Sequence, residues 1–375
     1  MIKVLFLIPN LGCGGAEKVL VSLVNNIDKT KFDVTVHTLF DCGVNKENLN
    51  KDIKYKYFLK KQFQGNSTLM KIFSPKFLYK RIVKKEKYDI LVSYLEGPTA
   101  RIISGCTDDN VIKICWIHCV LNCEEVLAYP FRSIEEAKNC YNKFDKIVCV
   151  SEQVKDYFNR YIKDKTKTKV LYNTMETEKI KKMACESIEE DIFDKNQLNL
   201  ISVGKISRVK GYVRLAKIHR ELIRDGIKHK IYIVGEGEER KEIETFLLYN
   251  NLRKSFIFLG YKDNPYKYVK NADLFVCSSF SEGFSTAVAE ALIIGTPVIA
   301  TRCSGMDEML GENNEYGAIV ENDIDELYDG LIQILLNKEM IKAYAERALA
   351  RGEIFNTKNT ALKVQELFTS LIEEN

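Results

Sequence analysis

Short apolar runs alternate with stretches of helical spacing along the first half of the chain. Ile2–Ile8 has no polar residue after Lys3, which is typical of a strand buried on both faces, and Ala16–Ile27 then places apolar residues at helical intervals. Further strands are predicted at Phe32–Phe40, Ile90–Leu95, Val111–Ile117, Lys146–Val150 and Lys169–Tyr172. Alternation of strands and helices predicts a parallel sheet that is covered by helices.

The second half repeats this scheme after an acidic, irregular stretch, Met175–Leu198, which suggests a linker. Strands are predicted at Leu200–Val203, Lys230–Val234, Phe256–Leu259, Leu274–Cys277 and Pro297–Ala300. Helices are predicted at Tyr212–Asp225, Glu238–Asn250, Asn264–Asn271 and Ser285–Ile294. The fold class is therefore α/β with two wound halves. Because open α/β sheets bind ligands beyond the carboxyl ends of their strands, we expect the functional residues there, facing a cleft between the halves.

Length and composition agree with a globular protein of two domains. The chain has 375 residues, of which 46% are hydrophobic and 29% charged, so wholesale disorder is excluded. A single core rarely grows beyond roughly 250–300 residues. No apolar run approaches the ~18–20 residues that a membrane-spanning helix needs, and the apolar start is too short for a secretory signal. These features favour a cytoplasmic protein.

The net charge of +4 hides a strongly basic segment, 51–87, which carries twelve Lys or Arg and two acidic residues. Aromatic and aliphatic residues interleave with these charges. One interpretation is a surface that sits on anionic lipid headgroups. The alternative is a solvated helix and loop whose apolar residues face the core. The overall balance of charge is unlike that of a general nucleic-acid binder.

Eleven cysteines occur, none of them in a Cys-x-x-Cys pair. Without an export signal they are best interpreted as small, reduced core residues. Cys115, His118, Cys119 and Cys123 could suggest zinc, but they begin inside an apolar run where neighbouring side chains point to opposite faces. No metal and no other cofactor is expected.

Segment 281–290, with the sequence SEGFSTAVAE, carries the strongest chemical signal. A strand is predicted to end just before it, a loop holds Glu282 and Gly283, and Ser285 or Thr286 is a good N-cap for the next helix. The amides of this helix N-terminus suit an oxygen-rich or anionic ligand.

Glu290 is the only charged residue in that otherwise apolar helix. Such a helix is buried on most sides, and a buried carboxylate costs several kcal/mol unless it is paired or hydrogen-bonded. Glu290 therefore needs a partner, either a basic side chain of the protein or the hydroxyls of a sugar.

The loop Gly204–Gly211 places Lys205, Arg208 and Lys210 between a strand and a helix. Positive charge at a helix N-terminus is unfavourable by a few tenths to ~1 kcal/mol, and a bound diphosphate would reverse that sign. A solvated lysine turn is the equally plausible alternative.

The turn Gly12–Glu17, which follows the first predicted strand, is rich in glycine and would let a ligand approach the backbone. It matches neither Gly-x-Gly-x-x-Gly nor a Walker sequence, so a plain strand–helix turn is the alternative. His118 lies at the end of a predicted strand, where a functional and a structural role are about equally plausible. Val234–Gly237 is a weaker Gly-x-Gly turn.

Taken together, these motifs resemble the retaining glycosyltransferases of family 4, which have the GT-B fold. The most specific match is Glu282 and Glu290 with seven residues between them, within SFSEGFSTAVAEALIIGTPVIAT. Other matches, in the family's order, are Gly14–Glu17, Val150–Glu152, Val170–Asn173, Gly204 with Lys210-Gly211, Val234–Gly237 and Gly305–Glu308. They cover residues 1 to about 320.

The resemblance implies roles for particular residues. Lys205 and Lys210 would hold the donor's diphosphate, Glu282 the donor sugar's hydroxyls and Glu290 the ribose, with His118 near the sugar. The residues implied in catalysis are Glu282, Lys210, Lys205 and His118. The residues implied in donor binding are Gly14, Gly15, Gly204, Arg208, Gly235, Gly283, Phe284, Ser285, Thr286 and Glu290. The family usually has Arg in place of Lys205, so Arg208 would share that role, because Lys lacks the bidentate fork.

The resemblance also implies two Rossmann-like domains facing a central cleft. Residues 1–185 would bind the acceptor, residues 186–355 would bind the nucleotide sugar, and a C-terminal helix, 356–375, would pack back on the first domain.

The implied function is retaining, metal-independent transfer of a hexose or N-acetylhexosamine from a UDP-sugar to a lipid-linked saccharide. The product would serve capsule, lipopolysaccharide or exopolysaccharide synthesis, and segment 51–87 would contact the inner membrane surface peripherally. A GT-B nucleotide-sugar epimerase and a non-catalytic nucleotide-sugar-binding subunit are the alternatives.

Overall fold

The computed structural model describes residues 1–12, 14–62, 70–188 and 192–374. These residues form two compact units, one of residues 1–175 with 357–375 and the other of residues 176–356. Among the described residues no helix is both long enough and apolar enough to cross a membrane.

The described part of the first unit contains a seven-stranded parallel sheet in the order β3-β2-β1-β4-β5-β6-β7. Its strands are β1 (Ile2–Ile8), β2 (Phe32–Phe40), β3 (Lys54–Leu59), β4 (Ile90–Ser93), β5 (Ile112–Ile117), β6 (Lys146–Cys149) and β7 (Thr168–Val170). Its helices are Gly15–Asn26, Pro75–Ile82, Pro98–Ile103, Glu124–Ala128, Ile134–Tyr141, Glu152–Phe158 and Thr357–Glu373. β1 lies inside the sheet, between β2 and β4, and its residues 4–8 are fully buried, as its unbroken apolar run predicts.

The second unit repeats this architecture, with a described six-stranded parallel sheet in the order β10-β9-β8-β11-β12-β13. Its strands are β8 (Leu198–Val203), β9 (His229–Val234), β10 (Phe256–Gly260), β11 (Leu274–Cys277), β12 (Val298–Thr301) and β13 (Ala318–Val320). Its helices are Thr177–Ala184, Tyr212–Arg224, Arg240–Tyr249, Tyr266–Lys270, Thr286–Ile294, Met306–Leu310, Ile324–Leu335 and Lys338–Gly352. The order reverses at β8, whose neighbours are β9 and β11, so the carboxyl end of β8 is a topological switch point.

The sequence analysis did not predict two of the strands, β3 and β13. β3 lies within the basic segment and, in the part of the chain that the structure describes, forms the edge of the first sheet and pairs with β2 alone. Its Lys54 and Lys56 make ion pairs with Asp33 and Glu86. Charged side chains on an edge strand prevent further pairing, and they also interrupt the apolar pattern by which a strand is recognised. β13, with only three residues, is too short to give a periodic signal.

The stretch interpreted as a linker contains a helix, Thr177–Ala184, which packs against the helices Tyr266–Lys270 and Thr286–Ile294. The first stretch of the first unit therefore ends at Met175, before this helix. The boundary predicted at residue 185 had put the helix in the first domain. Its buried positions, Thr177, Ile180 and Ala184, follow helical spacing within a strongly charged stretch. Residues 189–191 of that stretch lie outside the described residues.

The C-terminal helix Thr357–Glu373 belongs to the first unit. The ring of Phe368, which is fully buried, contacts Phe6 at 6.1 Å, Phe32 at 6.0 Å and Trp116 at 6.4 Å between centroids. The helix thus completes the core beside β1, β2 and β5.

The described cysteines are free thiols, and most of them are buried, as predicted. Cys185 is an exception, since it is exposed at the end of the helix Thr177–Ala184. Cys42, Cys119 and Cys123 are only partly buried, and Cys13 lies outside the described residues.

A buried histidine pair joins the second sheet to one of its helices. His229 Nδ1 lies 2.9 Å from the carbonyl of Ile227, His219 Nδ1 lies 2.7 Å from His229 Nε2, and His219 Nε2 lies 2.8 Å from Ser255 Oγ. Both residues are fully buried. The carbonyl requires a proton on His229 Nδ1, so in the neutral pair His219 Nδ1–H donates to His229 Nε2.

We expect this pair to make stability depend on pH. Burial lowers the pKa of His219 to about 3 and also lowers the pKa of His229, whereas an unfolded histidine titrates near ~6.5. The unfolded chain therefore binds more protons below that pH. The contribution of the neutral pair to the free energy of unfolding should be fully present above pH ~6.5. It should fall by about 1.4 kcal/mol per pH unit for each histidine as the pH drops toward the folded pKa.

Urea titrations followed by circular dichroism between pH 7.5 and 4.5 measure this dependence. His219→Gln should flatten it compared with the unaltered protein, whatever its effect at pH 7.5. An unchanged slope in that variant would show that protonation of the pair does not contribute.

Candidate functional site

The carboxyl edge of the second sheet brings Lys210 and Glu282 together. Lys210 ends a 3₁₀ turn, Arg208–Lys210, beyond β8, and Glu282 lies in the loop beyond β11. Lys210 Nζ donates to Glu282 Oε1 at 2.6 Å, and their side chains are 27% and 10% exposed. Burial favours the neutral amine, but the Glu282 carboxylate outweighs it and raises the pKa of Lys210 above its ordinary value. The lysine is therefore charged at neutral pH.

The turn and the loop are joined by further hydrogen bonds. Ser279 Oγ donates to Glu282 Oε1 at 2.6 Å, Ser278 Oγ donates to the carbonyl of Lys210 at 2.9 Å, and the amide of Phe280 donates to the carbonyl of Val209. The positions of the ammonium and the carboxylate are therefore fixed by the backbone of both segments.

Gly211 allows this close approach. Its φ is 68°, in the left-handed region, and a Cβ there would lie 2.0 Å from the carbonyl oxygen of Ser278. A side chain would separate the turn from the loop, so glycine is required. Gly235 has a similar role at the end of β9, since a Cβ would lie 2.0 Å from the carbonyl oxygen of Gly204.

The helix Thr286–Ile294 begins with Ser285 as its N-cap, as predicted, and ends at Gly295 in the left-handed conformation. No hydrogen bond from the Ser285 side chain caps it. The ring of Phe284 packs against Phe355, so the side chain belongs to the core.

Glu290 is 6% exposed, which confirms that its helix is buried. Its Oε1 accepts a hydrogen bond from the hydroxyl of Tyr266 at 3.2 Å. Tyr266 is a partner that the sequence analysis did not identify, because the spacing of residues in different helices is not visible in sequence.

The other cations of the loop lie apart from this pair. Lys205 is 68% exposed and makes an ion pair with Glu238 at 3.1 Å, and Arg208 is exposed. The structure thus brings Lys210 and Glu282 into contact and leaves Lys205 and Arg208 at the surface.

In the first unit, His118 directly follows β5. Its backbone amide donates to Glu96 Oε2 at 2.9 Å, and Glu96 Oε1 accepts from the thiol of Cys119 at 3.1 Å. Burial lowers the pKa of His118 to about 3, so the imidazole is neutral. Part of the residue reaches the surface, whereas Nε2 is enclosed and has no hydrogen-bond partner among the described residues. Glu96 is a further residue that the sequence analysis missed.

The glycine turn after β1 precedes the helix Gly15–Asn26, whose N-cap is Gly14. The carboxylate of Glu17 folds back against Gly14, since a Cβ there would lie 2.3 Å from Glu17 Oε2. Burial raises the pKa of Glu17. The predicted contact of Gly14 and Gly15 with a phosphate stays a prediction.

The fold places the chain in a known structural class. The HepE protein of Anabaena, in complex with UDP, is similar to this chain with a TM-score of 0.77 and 18% identity, over 98% of this chain and all of that one. Two Rossmann-like units with parallel sheets define a GT-B protein.

Sequence comparison gives the family. The model described as "Glycosyltransferase Family 4" matches residues 13–179, and the model described as "Glycosyl transferases group 1" matches residues 186–351. The chain belongs to the glycosyltransferases of family 4.

Two relatives have more specific names. A Campylobacter jejuni protein, 27% identical over 372 residues (95% of this chain and 96% of the relative), is an N-acetylgalactosamine-N,N'-diacetylbacillosaminyl-diphospho-undecaprenol 4-alpha-N-acetylgalactosaminyltransferase. An Escherichia coli protein, 23% identical and matched over 79% of this chain and 78% of its own length, is a UDP-Gal:alpha-D-GlcNAc-diphosphoundecaprenol alpha-1,3-galactosyltransferase.

Proposed function

We propose that this glycosyltransferase moves a hexose or N-acetylhexosamine from a UDP-sugar to a saccharide linked to a lipid diphosphate. The observation that carries the proposal is the Lys210–Glu282 pair at the switch point of the second sheet, with Glu290 buried in the adjoining helix. The names of the two relatives support this donor and acceptor class. They are transferases, which favours transfer over the epimerase alternative.

The chemistry follows from the charges at this site. When the bond between the sugar and the diphosphate breaks, negative charge develops on the departing phosphate oxygens. The ammonium of Lys210 and the amides at the start of the helix Thr286–Ile294 would stabilise that charge. Glu282 would hold hydroxyls of the donor sugar, and Glu290 would accept hydrogen bonds from the ribose hydroxyls.

We propose that transfer retains the anomeric configuration and uses no protein nucleophile. Oε1 of Glu282 already accepts hydrogen bonds from Lys210 and Ser279, which makes this oxygen a poor nucleophile. Attack on the face from which the phosphate departs, with a phosphate oxygen as the base, then accounts for retention. Proton NMR of the anomeric configuration in the new glycosidic bond tests this, and inversion relative to the donor would contradict it.

We expect transfer to continue without a divalent metal, because Lys210 and the helix amides supply the positive potential. Asp323-Ile324-Asp325 has Asp-x-Asp spacing, but Asp323 Oδ1 accepts from the amide of Asp325 at 2.8 Å as the N-cap of the helix Ile324–Leu335. An assay with excess EDTA should retain at least half of the activity. Loss of activity that Mg²⁺ or Mn²⁺ restores would refute metal independence.

The structure divides the basic segment into two parts with different surroundings. In β3, Tyr55 donates to Asp41 at 2.9 Å and lies 2.9 Å from Thr38 Oγ1, so its hydroxyl has partners within the protein. Residues 70–82 instead expose three large apolar side chains. These are Ile72, Phe73 and Phe77, at 65%, 40% and 49% exposure, and we call them the apolar patch. Residues 63–69 lie outside the described residues.

The backbone beneath the apolar patch is held by a buried arginine. Arg101, 1% exposed, donates to the carbonyls of Met70 at 2.8 Å and Phe73 at 2.9 Å, and pairs with Glu136 at 2.7 Å. The rings of Phe73 and Phe77 stack at 5.0 Å. Exposed basic residues lie on the helix Pro75–Ile82 and directly after it: Lys76, Lys80, Arg81, Lys84, Lys85 and Lys87. We propose that this surface binds an anionic membrane, which would place the enzyme beside a lipid-linked acceptor.

Reversal of charge at Lys76, Lys80 and Arg81 to glutamate should reduce flotation with phosphatidylglycerol vesicles at least tenfold, because each basic residue near such a surface contributes about 1 kcal/mol. Ile72→Ser with Phe77→Ser should weaken binding as well, through loss of apolar insertion. The matched control is reversal of Lys163, Lys165 and Lys169, which are exposed in the same unit near β7. Equal binding by the two charge-reversed proteins would refute the proposal.

The function is tested in two steps. A thermal-shift screen of nucleoside diphosphates and nucleotide sugars should show stabilisation, and the stabilising sugar nucleotide is then incubated with short lipid diphosphate-linked saccharides. Release of nucleoside diphosphate only when an acceptor is present indicates transfer. Binding without release would indicate a non-catalytic subunit, and epimer formation without an acceptor would indicate an epimerase.

A further inference from the structure

Arg214 is a buried cation close to the Lys210–Glu282 pair. It lies in the first turn of the helix Tyr212–Arg224 and is 5% exposed. Among the described residues no carboxylate lies within ion-pair distance of it. A cation in the first turn also opposes the helix dipole, and an unpaired buried charge costs several kcal/mol unless hydrogen bonds compensate it. An arginine in such a place requires an explanation.

The hydrogen bonds of Arg214 converge on the loop that carries Glu282. Its Nε donates to the carbonyl of Ser278 at 2.8 Å, and one Nη donates to the carbonyl of Ser279 at 2.7 Å and to Thr301 Oγ1 at 3.1 Å. The other Nη donates to Asn322 Oδ1 at 2.8 Å.

Neighbouring contacts complete this arrangement. The guanidinium lies over the ring of Phe280 at 3.9 Å from its centroid, and Asn322 Nδ2 donates to the carbonyl of Phe280 at 2.9 Å. The carbonyls of residues 278, 279 and 280 are thus all held, directly or through Asn322, by one guanidinium.

The loop in turn determines where Glu282 lies. Ser279, whose carbonyl Arg214 holds, donates through Oγ to the same Glu282 oxygen that accepts from Lys210. Lys210 precedes Arg214 by only four residues in the chain, and Gly211 lies between them. The contacts therefore close a ring from Arg214 through Ser279, Glu282 and Lys210.

We propose that Arg214 is a positioning residue for the donor site, which fixes the separation of Lys210 and Glu282 and so the affinity for the donor's diphosphate. The inference rests on the proposed function. Only the planar fork of a guanidinium can serve two successive carbonyls and two side-chain oxygens, so lysine is expected to be a poor substitute.

The experiment measures the dissociation constant of UDP by calorimetry, at a temperature where circular dichroism shows each variant to be folded. Arg214→Gln should raise the constant about tenfold or more, and Arg214→Lys by a smaller factor. Arg220→Gln is the control, because Arg220 lies in the same helix, pairs with Glu221 and lies over the ring of Phe246. It should bind UDP as the unaltered protein does.

A double-mutant cycle separates positioning from general support of the fold. If Arg214 acts through Glu282, the protein with both Arg214→Gln and Glu282→Gln should bind UDP no more weakly than Glu282→Gln alone. Additive losses, or unchanged affinity in folded Arg214→Gln, would overturn the proposal.

If the Arg214 variants do not fold, Ser279→Ala breaks the same ring and should weaken UDP binding, and unchanged affinity there would overturn it equally. Failure of the unaltered protein to bind any nucleoside diphosphate would instead remove the proposed function, and this inference with it.

Discussion

Replacement of Lys210 by methionine is expected to lower the rate of glycosyl transfer by about 10²–10³-fold, because it removes a donor aimed at the charge that develops on the leaving group. Methionine keeps much of the volume of the side chain. The variant also leaves Glu282, 10% exposed, without its cation. Initial rates at saturating donor concentration, with and without Lys210→Met, measure the effect.

Two matched variants show whether the loss of transfer rate is specific to the charge of Lys210. Lys205→Met removes a cation of the same loop that is 68% exposed and paired with Glu238, and it should cost far less than Lys210→Met. Lys210→Arg keeps the charge and should retain partial activity. Full activity of Lys210→Met, or an equal loss in Lys205→Met, would mean that the pair with Glu282 is not the centre of the chemistry.

Replacement of Glu290 by glutamine is expected to weaken binding of the nucleotide by about 10–100-fold, since hydrogen bonds to a charged acceptor are worth roughly 1.5–3 kcal/mol. Glutamine has nearly the same shape and keeps the Tyr266 contact possible, so the helix should remain folded. A change in stability would report what the carboxylate contributes to the fold, separately from what it contributes to binding. Titration calorimetry with the nucleoside diphosphate, beside thermal unfolding, measures both effects.

Tyr266→Phe distinguishes the contributions of the two residues. It removes the hydroxyl that donates to Glu290 at 3.2 Å and should weaken nucleotide binding by a smaller factor than Glu290→Gln. If Glu290→Gln bound the nucleotide normally but unfolded at a lower temperature, the carboxylate would serve the fold alone.

Most of the fold could be predicted because buried parallel strands have a strong sequence signature. β1 and β2 have the predicted bounds, and β11 matches its prediction residue for residue. β3 was missed because its charged lysines and hydrogen-bonded tyrosine interrupt the apolar pattern. The helix Thr177–Ala184 was missed because its charged residues resemble those of a linker.

The candidate site was predicted in its residue types and only partly in its geometry. The need of Glu290 for a partner followed from its burial, but one such partner, Tyr266, lies in another helix and has no fixed spacing from it. Lys210 and Glu282 were given separate roles, whereas they are in contact. Arg214 gave no signal, because helical spacing alone does not show that a buried arginine binds the carbonyls of a loop 64 residues later.

The placement of Phe368 beside Phe6 and Trp116 has a consequence for biosynthesis. The second unit is continuous, so it can complete its core while the chain is still emerging from the ribosome. The first unit, although translated earlier, receives its last core element from the helix Thr357–Glu373, which is translated after the whole second unit. We therefore expect the usual order, in which N-terminal domains mature first, to be reversed, with apolar surface of the earlier-made half exposed until residues 357–373 have been translated.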